Sequence, residues 1–169
     1  KNGKKVIAVA AVVAAVCLVF LFVEKRSYHS YKVLNTSEQE DVVSTQYVEM
    51  DGDILRYSPD GVSVVDGSMN TVWNETYTMQ NPIADVNGSK AVIADSEGTS
   101  LYICDKKGIT GTVTTSYSIV KVRVAANGMV AAILDNDENT WINFYNPDGS
   151  LVAENLTKID DPGYPLDVA

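Results

Sequence analysis

The sequence predicts an all-β fold, a partial β-propeller of three four-stranded antiparallel blades plus the start of a fourth, preceded by one transmembrane α-helix. Three observations carry this expectation. Residues 6–23, VIAVAAVVAAVCLVFLFV, are 18 apolar residues without a charge. Asp-Gly or Asn-Gly pairs ending at Gly52, Gly88 and Gly128 recur 36 and 40 residues apart, each between apolar stretches. Behind each pair the same succession of strand, polar turn and strand returns.

The apolar run comes first along the chain. As a helix rising about 1.5 Å per residue it is roughly as long as the hydrocarbon layer is thick. The stretch that follows it, EKRSYHSY, offers no small-residue cleavage site, so a retained anchor is expected rather than a removed signal peptide. Cys17 is preceded by Val16, which does not suit a lipoprotein site either. Lys1, Lys4 and Lys5 precede the run, and the positive-inside bias then places residues 1–5 in the cytoplasm and everything after residue 23 outside. Residues 24–45 lack a sustained period and read as a stalk; they hold the single histidine, His29, expected to be a solvated linker residue.

Alternation takes over at Gln46. QYVEM-DG-DILRY, IADV-NG-SKAVIAD and RVAA-NG-MVAAILD each read as strand, two-residue turn and strand, with type I′ turns expected because both central residues of that turn need positive φ. Third strands follow at VSVV, SLYIC and TWINFY, ending on Asp66, Asp105 and Asn146, which are 39 and 41 residues apart. Fourth strands follow at TVWNETY, ITGTVTT and LVAENLT. In the third strands Val62/Val64, Leu101/Ile103 and Ile142/Phe144 share one face, and Ser63 and Asn143 take the other. One such sheet cannot bury its apolar face alone, whereas a stack of them can. The blades are expected at residues 46–82, 83–119 and 120–165, with a fourth beginning at 166, where PLDVA matches the PIADV that opens the second. Closed propellers have about four to eight blades, so the chain is expected to be part of a longer one. A β-sandwich of hairpins is the rival fold, and it leaves the matched turns unexplained.

Charge and residue inventory narrow the function. Net charge is −9, and without the three leading lysines the remaining chain carries −12, a surface that repels phosphate backbones and excludes nucleic acid as a partner. Cys17 and Cys104 lie in apolar settings and are expected to be unpaired small hydrophobes. With a single histidine in the stalk, no Ser/His/Asp or Cys/His arrangement and no zinc set is available, so no catalytic residue and no metal ligand is assigned. DNDENTW imitates half of a calcium loop but has Thr140 and Asn146 where glycine and an acid belong. Asp85, Asp95 and Asp135 lie in or at the ends of inner strands and are the acids best placed for acid/base work, with turn capping as their default role. Trp73, Tyr102, Trp141 and Tyr145 are candidate partner-contact aromatics.

YVEMDGDILRYSPDGVSVVD, TVWN, NPIADVNGSKAVIAD, WINFYNPDG and GYPLDVA together resemble an uncharacterised group of single-pass membrane proteins from clostridial-type Gram-positive bacteria. These carry an outer domain of unknown function related to WD40 and pyrroloquinoline-quinone-type repeats. The resemblance implies a propeller and an outer location, and no activity. TVW also resembles the blade ending of quinone enzymes, in which Trp docks one blade on the next; the counterpart stretches at Ile109 and Leu151 lack the Trp, and no cofactor is expected. The chain is therefore expected to be a membrane-anchored, extracytoplasmic, non-catalytic binding or scaffolding module for another envelope protein or a cell-wall glycan. A carbohydrate-active enzyme completed by further blades, or an envelope sensor, are the alternatives.

Overall fold

The computed structural model describes residues 5, 13, 15–19, 44–136 and 138–157. Two compact units divide the chain, Lys1–Thr36 and Ser37–Ala169. In the first, the described residues are helical, and Val13, Val16, Leu18 and Val19 are exposed. No helix among the described residues is long and apolar enough to cross a membrane. Most of the expected span at 6–23, nearly all of the stalk with His29, and the expected fourth-blade start at 166 lie outside the described residues.

The second unit is all-β, with three four-stranded antiparallel sheets formed by consecutive strands. Sheet 1 comprises β1 (Gln46–Met50), β2 (Asp53–Ser58), β3 (Gly61–Val65) and β4 (Thr71–Thr76). Sheet 2 comprises β5 (Pro82–Asn87), β6 (Lys90–Asp95), β7 (Ser100–Asp105) and β8 (Gly108–Thr114). Sheet 3 comprises β9 (Ser118–Val124), β10 (Val130–Asp135), β11 (Thr140–Tyr145) and β12 (Leu151–Thr157). Each sheet is an uninterrupted meander. First strands lie side by side, β5 between β1 and β9, and the fourth strand β4 lies against β8. The sheets thus stack face to face with like edges together, which makes the arrangement β-propeller-like.

Two apolar layers hold the stack. Between sheets 1 and 2, Leu55, Val62 and Val64 meet Ala91, Ile93 and Cys104, with Tyr77 and Met79 from the connecting segment. Between sheets 2 and 3, Val92, Ala94, Leu101 and Ile103 meet Val122, Val124, Val130, Ala132 and Leu134. Sheet 2 is therefore covered on both faces, and successive residues of β6, from Ala91 to Ala94, alternate between the two layers while all being fully buried. Such double coverage turns alternation into a continuous apolar run, as KAVIAD shows. Each fully buried Val, Leu or Ile side chain contributes about 1.5–3 kcal/mol of transfer free energy. The expected face-sharing pairs Val62/Val64 and Leu101/Ile103 both point at the following sheet. Their counterpart Phe144 lies on the face of sheet 3 turned away from sheet 2 and is 37% exposed.

One expectation about the turns needs correcting. The three matching glycines occupy three different turns. Asp51 and Gly52 both have positive φ, 50° and 84°, which is the expected type I′ pattern. At the second, Asn87 pairs with Lys90, so the turn is Gly88-Ser89 with positive φ only at Gly88, the type II′ pattern. At the third, Gly128 N–H donates to Ala125 O and Ala125 N–H to Met129 O, giving a three-residue loop whose last residue, Gly128, is left-handed at φ 86°. The motif sets where the chain reverses, and strand register sets which residue takes the left-handed place.

The same three-residue loop recurs at Asn146–Ser150, with Gly149 left-handed, and at Asp66–Asn70, where Met69 holds that place at φ 66°. Asp66 braces its loop by accepting N–H bonds from Ser68 and Asn70 at 2.8 and 2.9 Å. The N–H of Asn70 in particular holds the Asp66 carboxyl below its ordinary pKa. A Cβ in the left-handed region costs about 1–2 kcal/mol that glycine escapes, and Met69 is exposed, so it has little packing to lose. Met69→Gly should therefore raise stability by about 1 kcal/mol in a denaturant titration. Met69→Ala, which keeps the Cβ, should leave the midpoint within about 0.5 kcal/mol of the parent.

Candidate functional site

Two of the acids singled out from sequence, Asp85 and Asp95, tie neighbouring elements together. Asp85, on β5, accepts from Arg123 Nη1 at 2.9 Å and from Val124 N–H at 2.8 Å, both on β9. Asn87 Nδ2 donates to Val124 O at 3.2 Å, so two residues of β5 bracket one residue of the next sheet. Asp95 Oδ1 accepts from Gln80 N–H and Asn81 N–H at 3.0 and 2.8 Å, fixing the segment that leads from sheet 1 into sheet 2. Asp135 pairs in register with Ser118 and Thr140 at the end of β10. The three lie at separate places. A second cross-sheet ion pair joins Lys106 Nζ, on the β7–β8 turn, to Asp53 at 2.8 Å. Beside it Asp105 is nudged upward by partial burial, but bonds from Lys107 N–H and Lys90 leave its carboxyl below the ordinary range. Burial pushes the Cys104 thiol up to about 12, keeping it protonated and unreactive. No group of three or more potential metal ligands occurs among the described residues.

The four candidate aromatics divide between the two layers and do not form one face. Trp73, on β4, and Tyr102, on β7, pack between sheets 1 and 2, where Tyr102 lies 5.2 Å from the Tyr77 ring. Trp141 packs between sheets 2 and 3, stacked on Tyr117 at 5.7 Å. Tyr145 is 4% exposed, and its hydroxyl accepts a bond from Asn143 Nδ2 at 3.2 Å.

Tyr145 and Asn143 belong to a groove in which buried polar side chains converge. A groove of about 340 Å³ opens between the outer strands of sheets 2 and 3, lined by the chain from Thr112 to Ser116 on one side and by Asn143, Tyr145, Leu151 and Glu154 on the other. Its origin lies in the fourth strands. Every sheet carries a bulge between its third and fourth strands, at Val64/Val65, Ile103/Cys104 and Phe144/Tyr145. The residue paired just before the bulge is Trp73 in sheet 1, Gly111 in sheet 2 and Ala153 in sheet 3. Trp73 thus fills the wedge between the first two sheets, while Gly111 has nothing to put into the next one. There the backbone of the Asn146–Ser150 loop comes in instead; a Cβ on Gly111 would lie 2.5 Å from Asp148 C and Gly149 N. This close approach closes one end of the wedge and leaves the remainder open as the groove.

The groove is polar and pre-organised. Asn143 is 5% exposed, and its Nδ2 donates to both the Tyr145 hydroxyl and Glu154 Oε2 at 3.2 Å. Its Oδ1 is buried without a hydrogen-bond partner among the described residues. Thr115 Oγ1 donates to Tyr117 O at 2.7 Å and Thr115 N–H to Thr99 O at 2.8 Å, which sets the loop that carries Ser116 along the rim. Among the described residues Glu154 is the one carboxylate in the lining, and no Lys or Arg is there. Such a site can orient hydroxyl and amide groups. Sequence reasoning picked Tyr145 without its neighbours; the missing Trp in the second fourth strand was the available signal of an open wedge.

Residues 24–169 match a family of unknown function, DUF5711. The chain belongs to that family. No curated protein matches. Similar solved structures include the WD40 domain of Neurospora crassa Pan2, at 14% identity and TM-score 0.44, covering 64% of this chain and 34% of that one. Kluyvelomyces marxianus Hsv2 is 18% identical with TM-score 0.49, over 78% of this chain and 40% of that one. A protein of unknown function from Bacteroides caccae is 14% identical with TM-score 0.43, over 67% of this chain and 46% of that one. This DUF5711 chain spans less than half the length of each of the three.

Gly111→Ala should lower stability by about 1–3 kcal/mol, because the atoms its methyl meets are backbone and cannot swing away. Thermal unfolding measures this, and Gly67→Ala, whose Cβ meets nothing within 4 Å, serves as the control.

Proposed function

We propose that this DUF5711 chain is a membrane-anchored, extracytoplasmic and non-catalytic binding or scaffolding module of the cell envelope. The observation that carries the anchoring is the uncharged run at residues 6–23, together with helical residues there whose valine and leucine side chains are exposed by 57–67%. Side chains of this kind gain by transfer to lipid, and three lysines lead the run while no acid lies within it. The binding reading is supported by how the described acids are used. Asp85 and Asp95 are committed to N–H and guanidinium partners that join neighbouring sheets and segments, which leaves the groove between sheets 2 and 3 as a place where polar groups converge without such duty.

Expressed in full, the protein should stay with the membrane pellet through a carbonate wash. Protease added to intact cells should then remove the sheet-bearing part while sparing the amino-terminal segment. Release by carbonate, or protection of the sheets until the cells are broken, would refute the proposed placement.

A further inference from the structure

We propose that the groove between sheets 2 and 3 binds one or two rings of a neutral, hydroxylated saccharide; this rests on the binding-module reading above and names its ligand. The groove's volume of about 340 Å³ falls at the small end of ligand sites, which suits a mono- or disaccharide. Its chemistry points the same way. Asn143, Tyr145 and Glu154 form a fixed chain in which Nδ2 donates to the phenol oxygen and to the carboxylate. The Tyr145 hydroxyl, already accepting, has its own hydrogen to give, and the Glu154 carboxylate has lone pairs to spare. Asn143 Oδ1, at the base of the same trio, lacks a donor among the described residues. A ligand that fits must both donate and accept at short spacing, as vicinal hydroxyls do. Phosphate and sulfate fit poorly, because the described lining offers them a carboxylate and no cation. Val113 and half-exposed Leu151 add an apolar corner for a C–H face or an acetyl methyl. The wedge exists because Gly111 stands at the place that Trp73 fills in sheet 1, so the two interfaces differ and the site occurs between sheets 2 and 3 alone among the described sheets.

The test is a ligand-observed NMR titration of the full chain in detergent micelles with the disaccharide of N-acetylglucosamine, and with maltose as a hydroxylated ligand lacking the acetyl group. Saturable binding of either is expected. Glu154→Ala, at an exposed position, should weaken it about tenfold, the weight of one hydrogen bond to a charged group. Ser116→Trp, which fills the groove from an exposed loop position, should abolish it. Glu75→Ala, exposed on sheet 1, should leave it unchanged. Native circular dichroism of each variant confirms that the sheets remain. No binding of either disaccharide overturns the inference, as does binding that Glu154→Ala and Ser116→Trp leave intact, or binding of spermidine in place of both sugars. A defined envelope protein captured by a chain that ignores both sugars would overturn this inference and leave the binding-module reading standing.

Discussion

Everything in the described β unit depends on one constraint: a four-stranded sheet of this sequence has two apolar faces and can cover neither by itself. Sheet 2 shows the consequence most fully. Ala91 and Ile93 are buried by sheet 1, Val92 and Ala94 by sheet 3, and all four are inaccessible to solvent. The stability of the central meander is thus a property of its neighbours, in the manner of repeat architectures. Polar groups follow the same logic. Asp85 reaches across to Arg123 and Val124, and Lys106 reaches back to Asp53, so each interface carries a charge pair that fixes how far one sheet can slide along the next. Salt bridges at partly exposed sites add little free energy, and their use here is in register and orientation.

A second consequence concerns the outer strands. Stacked sheets that share an inner edge diverge toward the other, and the diverging space must be filled by something. Sheet 1 uses an indole, Trp73, set in place by a bulge at Val64/Val65. Sheet 2 has the same bulge and a glycine, so the following loop supplies backbone instead of a side chain, and the space beside it stays open to solvent. A repeated fold thereby acquires a place unlike its counterparts without any change in topology. Sites on repeat folds arise in this way, through local departures from the repeat rather than from the repeat itself.

The acids illustrate why residue type alone is a poor guide to chemistry in such a chain. Asp85, Asp95 and Asp135 looked equivalent as acids near strand ends. In the fold, Asp85 faces sheet 3, Asp95 folds over a connecting segment, and Asp135 closes a hairpin. The carboxylates of Asp85 and Asp95 meet different partners because the side-chain period of two and the local turn decide which way each points. Trp141 and Tyr145 show the same effect among the aromatics: both lie on the sheet 2 side of β11, one as a stacking ring and the other as a hydroxyl in a polar chain.

The sequence by itself determined the strand inventory, the grouping into four-stranded meanders and the places of reversal. These depend on local patterns, alternation and Gly-containing turns, that a strand needs before any partner is present. VSVV, SLYIC, TWINFY, TVWNETY, ITGTVTT and LVAENLT all became strands within a residue or so of where the pattern puts them. Only the tertiary structure decided the turn types, since a one-residue difference in pairing at Asn87↔Lys90 and a three-residue loop at Ala125–Met129 leave Gly88 and Gly128 left-handed without the Asn before them. It also decided the candidate site. Asn143, Tyr145 and Glu154 of sheet 3 line one groove with Ser116 of the β8–β9 connection, and residues brought together by stacking carry no mark of their proximity in the order of the chain.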